Sequence, residues 1–189
     1  MNPPFYTGGP SMVDYTRIGA LIGHEITHGF DSKGRNTDAT GNYAGNAFSE
    51  AVREAFSHKE DCFRKQYFAY QIEELGEYVN GNKTLSENIA DNGGIREAYR
   101  AYQKLLSRLP FKQRPDTDYS VDQLFFISYG TMWCKIDTMQ SLTATFKSDI
   151  HAPSKFRVIG TLANMQEFAD AFQCPVGTRM NPRDKCVLW

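Results

Sequence analysis

The sequence predicts a mainly α-helical fold with very little sheet, on three observations. Apolar residues recur at three- and four-residue steps over several long stretches. Strand-like runs are confined to Tyr78-Val79 and Phe156-Arg157-Val158-Ile159. The residues richest in chemistry, His24, Glu25 and His28, sit at helical rather than alternating spacing.

Residues 1 to 13 are rich in Pro and Gly and predict an irregular entry. From about Asp14 a helix-spaced run through Ile18, Leu21 and Ile22 leads to the histidines and ends near Gly29-Phe30-Asp31. Residues 32 to 46 are dense in turn formers and predict a long surface loop. A second helix follows from Phe48 to Tyr70, with Phe48, Val52, Phe56, Phe63 and Tyr67 on its apolar face. The acidic run Glu73 to Glu77 ends it, and Asn80-Gly81-Asn82 predicts a turn.

A third helix is expected from about Leu85 to Leu109, with Ile89, Ile95, Ala98 and Tyr102 at helical spacing. Gly93-Gly94 inside it costs about 1 kcal/mol per glycine relative to alanine. Close approach of another backbone is a physical reason to accept that cost. Ser120-Val121-Asp122-Gln123 reads as a capping box opening a fourth helix through Trp133. A short helix from Thr138 to about Phe146, a loop at His151-Ala152-Pro153 and a helix start at Asn164 to Glu167 complete the chain before an irregular tail.

The chemistry centres on His24-Glu25-Ile26-Thr27-His28. Residues four apart on a helix share a face, so both imidazoles can reach one cation, as zinc requires. Glu25 lies about 100° around the helix, within reach of a water held by that cation. A plain pair of polar residues on a helix surface would show the same His-x-x-x-His spacing. This is the His-Glu-x-x-His pattern of zinc peptidases. Such a site needs a third protein ligand. Glu87 is the main candidate, with Glu73, Glu74 and Glu77 as alternatives. Thr84-Leu85-Ser86-Glu87 also fits a capping box, which would turn Glu87 to the backbone instead. Asp91, one turn on, favours Glu87: it shares that face and can accept an N–H from a ligating histidine.

Composition narrows the function classes. The 189 residues fit one domain of ordinary size or part of a larger one, and 41% hydrophobic content supplies a core. A net charge of −1 without a basic stripe argues against nucleic acid as partner. No apolar run is long enough to span a bilayer, and Asn2-Pro3-Pro4-Phe5 lacks the features of a secretion signal. Cys62, Cys134, Cys174 and Cys186 are too widely spaced for a Cys-x-x-Cys metal site. With the glycosylation sequon at Asn82-Lys83-Thr84, they lean towards an oxidising, extracellular setting.

The two stretches Gly23-His24-Glu25-Ile26-Thr27-His28-Gly29-Phe30-Asp31 and Glu87-Asn88-Ile89-Ala90-Asp91-Asn92-Gly93-Gly94 resemble the C-terminal catalytic portion of the neprilysin family of zinc metallopeptidases, which includes endothelin-converting enzymes. Phe125 to Cys134, His151-Ala152-Pro153, Phe156 to Thr161 and Cys186 to Trp189 extend the likeness over nearly the whole chain. The resemblance implies a mainly α fold: a thermolysin-like α+β zincin catalytic domain over residues 1–189, with little sheet because the N-terminal edge strand is absent. It implies one Zn2+ ion held by His24, His28 and Glu87, with Glu25 as general base and Asp91 and Asp31 behind the ligands. Asp91 is also given a catalytic role in the family. His151 would meet the oxyanion and Arg157 a substrate carbonyl. Phe5, Leu21, Met132 and Trp133 would line the pocket for the residue after the cut bond, although each also fits a plain core position. Cys62 and Cys186 would form a disulfide, and Cys134 and Cys174 would pair with cysteines upstream of this chain.

Family members are much longer, with a membrane helix and a two-lobed ectodomain. The resemblance therefore implies a fragment whose partners are peptide substrates and the missing N-terminal lobe. It places the chain on the extracellular side of the plasma membrane or among secreted proteins. Two functional readings follow: a zinc-dependent endopeptidase, or a zinc-binding module without competent catalysis.

Overall fold

The computed structural model describes residues 12–45, 48–108 and 117–188. Its first helical run begins as α1 (Met12–Asp14), widens into a π-helical segment (Tyr15–Gly19) and continues as α2 (Ala20–His28). A loop follows that holds a short 3-10 turn (Gly34–Asn36) and a bridge between Thr37 and Tyr43. Then come α3 (Glu50–Phe68), a hairpin of β1 (Gln71–Ile72) and β2 (Glu77–Tyr78), and α4 (Leu85–Leu106). The chain continues through α5 (Val121–Met132), α6 (Met139–Ser148), α7 (Ser154–Ala163) and α8 (Gln166–Ala171).

The fold is α-dominated, as the periodicity predicts, and β1 and β2 pair antiparallel. The acidic stretch Glu73 to Glu77 does not end α3, which stops at Phe68; it turns the hairpin, with Gly76 at positive φ. Ser120 caps α5 through the reciprocal Ser120–Gln123 bonds that its sequence predicts. A second expectation is overturned. Phe156 to Ile159 is helix, not strand, because Pro153 sets the chain at the start of α7. Phe156 then turns into the core with Tyr70 stacked on it at 4.9 Å. Val158 and Ile159 favour strands in isolation, and tertiary packing overrides that preference.

Two apolar clusters flank the crossing of α2 and α4. One gathers Phe56, Phe63 and Tyr67 of α3 with Ile89 of α4, Phe156 of α7 and Leu188 of the tail. The other gathers Ala20, Ile95 and Tyr102 with Phe125, Phe126 and Tyr129 of α5. A Cys62–Cys186 disulfide pins the tail to α3, with its Cα atoms 5.5 Å apart. Cys134 and Cys174 are free thiols.

The two helices pack against each other through glycine. A Cβ added to Gly23 would lie 2.9 Å from Gly94 Cα, and one added to Gly94 would lie 2.6 Å from the His24 backbone nitrogen. A Cβ on Gly93 would run into the Thr27 side chain. The glycine pair that looks costly within α4 is therefore what lets the two backbones meet. We expect Gly94→Ala to destabilise the fold by at least ~1–3 kcal/mol, the usual cost of overpacking a filled core. Urea unfolding checks this, and unchanged stability would contradict the close crossing.

Candidate metal centre

The crossing brings three donor atoms to one point. His24 and His28 come from successive turns of α2, and Glu87 comes from the first turn of α4. The possible capping box at Thr84 does not form. Thr84 Oγ1 donates to Asn80 O and accepts from Asn88 Nδ2, which leaves Glu87 facing the histidines. Glu87 Oε2 lies 3.3 Å from His24 Nε2 and 3.2 Å from His28 Nε2, and the two Nε2 atoms are 3.0 Å apart. Glu73, Glu74 and Glu77 sit in the hairpin and take no part in this cluster.

Each imidazole is oriented from behind. His24 Nδ1 donates to Asp91 Oδ1 at 2.8 Å, and His28 Nδ1 donates to Asp31 Oδ2 at 2.6 Å. An ionised carboxylate only accepts, so the Nδ1 atoms carry protons and the Nε2 atoms point at the common centre, where a neutral ring offers its lone pair to a metal. Asp91 is itself held by Arg157, whose Nε and Nη2 donate to it at 2.7 and 2.6 Å. The other oxygen of Asp31 accepts the backbone N–H groups of Lys33 and Gly34, tying His28 to the loop after α2.

These residues fit a metal ion. Glu87 Oε2 is buried and has no aligned hydrogen-bond donor, although imidazole nitrogens surround it. A carboxylate oxygen and two ring nitrogens converging in a buried site need a positive charge between them, either a ring proton or a metal ion that displaces it. Ligands at about 2.0–2.1 Å from a tetrahedral zinc are roughly 3.4 Å apart, close to the spacings found here. His24, His28 and Glu87 together form a cluster able to hold a metal ion.

The electrostatics follow from burial and pairing. Burial opposes charge on His24, yet Asp91 and Glu87 overcome it and carry its pKa up to about 9. Burial likewise works against ionising Glu87, but His151 and His24 hold its carboxyl well below the usual range. Asp91 is also desolvated, and the Arg157 guanidinium keeps it ionised.

The remaining expected residues fall into place as follows. Glu25 is exposed on α2 and lines an open apolar trough with Ile18, Leu21, Ile22 and Ile26. His151 Nε2 reaches 3.0 Å from Glu87 Oε2. Leu21, Met132 and Trp133 are brought together beside His24 and Asp91. Phe5 lies outside the described residues. Arg157 stacks on the Trp133 ring at 3.9 Å, a contact that no linear spacing announces. Asn82 is exposed in the turn before α4.

Sequence reasoning missed Asp149. Its Oδ1 accepts from both the His151 backbone N–H and His151 Nδ1, at 2.9 and 2.7 Å. An Asp two residues before a His in a loop was the available signal. Lys83 was missed as well: its Nζ donates to Phe146 O and Lys147 O, fastening the end of α6 to the start of α4.

A pH dependence follows. With a folded pKa raised from 6.5 to about 9, protonated His24 stabilises the metal-free chain. That contribution is complete below about 6.5 and is lost as pH rises through 9. Metal binding needs the neutral ring, so it must release this proton. We expect metal affinity to weaken by up to about tenfold per pH unit on acidification below 9. Chelator competition at pH 6 and pH 8 measures it, and equal affinities would contradict the assignment. Removing an outer partner through Asp31→Ala should weaken metal binding by about 10- to 100-fold in the same assay.

Comparison with known proteins agrees with this geometry. Residues 1–188 match the model of peptidase family M13. The chain is 43% identical to endothelin-converting enzyme 1 of Rattus norvegicus, using all of this chain and 25% of that protein. It is also 43% identical to neprilysin-1 of Trittame loki, using all of this chain and 27% of that one. The chain therefore spans about a quarter of the length of these relatives. Among solved structures, the open state of the Mycobacterium tuberculosis zinc metalloprotease Zmp1 superposes with a TM-score of 0.82 at 30% identity, over 96% of this chain and 28% of that one. A Haemonchus galactose-containing glycoprotein complex superposes at 0.87 and 30% identity, over 99% of this chain and 31% of that one. With the family model matched almost end to end, the chain belongs to peptidase family M13.

Proposed function

We propose that this chain is the catalytic portion of a zinc-dependent endopeptidase that hydrolyses peptide bonds in short peptides. The observation that carries the reading is the convergence of His24, His28 and Glu87 on one point, with Glu25 next to His24 on the same helix. The M13 match supports zinc as the ion and peptides as the substrate class.

The imidazoles of His24 and His28 and the Glu87 carboxylate would hold zinc, which would supply Lewis acidity at the site. Glu25 accepts the proton that the attacking water gives up and returns it to the leaving amine. His151, held by Asp149 on its Nδ1, turns Nε2 towards the centre and donates to the oxygen as it becomes negative. Arg157 keeps Asp91 ionised through two donors and retains its third nitrogen for a substrate carbonyl. Leu21, Met132 and Trp133, packed together beside His24 and Asp91, would part to receive the side chain after the cut bond. The disulfide and the exposed Asn82 sequon support an extracellular setting. Among the described residues no helix is long and apolar enough to cross a membrane.

A second reading, a zinc-binding module without turnover, is favoured by one observation: Glu25 lies exposed rather than in a closed site. One experiment separates the two. We expect the zinc-loaded chain to cleave a quenched peptide in a chelator-sensitive manner. Glu25→Gln should keep its zinc and lose ~100-fold or more of the rate, the usual share of a general base. Full zinc content without cleavage in the unsubstituted chain supports the second reading. Equal rates in Glu25→Gln overturn the base assignment.

A further inference from the structure

A groove of about 430 Å³ opens beside the metal centre, between α6, the β hairpin and the start of α7. Its volume falls in the range of pockets that hold small ligands. His151 and Arg157 line its inner end, and these same residues contact Glu87 and Asp91. The groove is therefore continuous with the centre. Trp133 separates it from the smaller pocket lined by Leu21 and Met132, because that indole faces both.

The lining has a definite chemistry. Ile72 and Phe156 are buried and form its apolar base, while Met139, Leu142 and Phe146 present one side of α6. The cations around it are largely committed. Lys135 pairs with Asp137 at 3.0 Å, His151 with Asp149 at 2.7 Å, and Arg157 with Asp91 at 2.6 Å. Lys155 and Glu74 remain at its edge, one charge of each sign. An apolar side chain finds hydrocarbon along the base of the groove, whereas a charged one meets only Lys155 or Glu74 at its edge.

We propose that this groove is a second side-chain pocket for the peptide, selecting a large apolar residue distinct from the one received beside Leu21 and Met132. The assignment rests on the peptidase reading above. An extended peptide anchored at the metal places alternate side chains on one side, so the open groove and the closed cleft beside Leu21 and Met132 face different residues of it. Met139 is 54% exposed and opens the first turn of α6, where a glutamate is tolerated and faces the helix dipole favourably. Met139→Glu therefore alters the groove without touching the residues assigned to catalysis.

The test uses the zinc-loaded chain and binding rather than turnover. Peptide hydroxamates, which anchor on zinc, are compared with Phe, Ala or Asp at each successive position, and acetohydroxamate serves as the anchor alone. We expect one position at which Phe binds about tenfold or more tighter than Ala. That preference should shrink to within about threefold in Met139→Glu, with acetohydroxamate affinity unchanged. A Phe preference that survives Met139→Glu at every position, or no Phe preference anywhere, overturns the groove assignment and leaves the metal centre standing. Failure of acetohydroxamate itself to bind overturns the peptidase reading, and the groove assignment with it.

Discussion

The close crossing of α2 and α4 is the constraint on which the rest of the structure depends. Three glycines, Gly23, Gly93 and Gly94, remove the Cβ atoms that would hold the helices apart. Each glycine inside a helix costs about 1 kcal/mol relative to alanine. That cost is offset by burying nearly the whole first half of α4, from Leu85 to Ile95, against α2 and the two clusters. The same approach sets the site. Gly94 packs against the backbone of His24 with no room for a Cβ, so the crossing itself places the imidazole. Glu87 and Asp91, one turn apart, then fall on either side of that ring. A wider crossing would separate the carboxylates from the rings they serve.

Burying those acids is expensive, and the fold compensates for it in pairs. An isolated carboxylate in an apolar interior is strongly disfavoured unless paired and hydrogen-bonded. Asp91 meets both a forked guanidinium from α7 and an imidazole from α2. Asp31 meets an imidazole and two backbone donors. Three histidines are thus gripped at Nδ1 by three acids from α4, the loop after α2 and the loop after α6. Each ring turns Nε2 inward as a result. Glu87 Oε2, at the point where the rings converge, has no aligned donor, which makes it the natural seat for a cation's charge.

The helices and their order were legible because each carries its own period, and the ligand trio was legible because a helix fixes residues four apart. Glu87 was less certain, since Thr84 to Glu87 reads equally as a cap. Only the crossing shows that Thr84 turns back to Asn80. The stretch Phe156 to Ile159 was misread because β-branched residues favour strands locally, while the pull of Phe156 into the core is non-local. Asp149 and Lys83 were invisible for a similar reason. Neither lies in a periodic run, and their partners depend on where α6 ends relative to α4.

A metal centre and a working peptidase make different demands on this fold, and they are met by different faces of α2. The face turned to α4 is dry, with His24 only 5% exposed, and the ligands there are set by the crossing together with the acids that grip their rings. The face carrying Glu25 is open, with Ile22 and Ile26 each more than half exposed beside it. Electrostatic stabilisation of a developing charge is strongest where water is excluded. On this face water must be displaced by whatever covers Ile22 and Ile26. A peptide whose apolar side chains lie along that trough would exclude water as it binds, coupling substrate contact to the environment of the base. Binding energy gathered along the apolar surfaces would then appear in turnover as well as in affinity, because the same contacts that hold the peptide dry the carboxylate that accepts the proton.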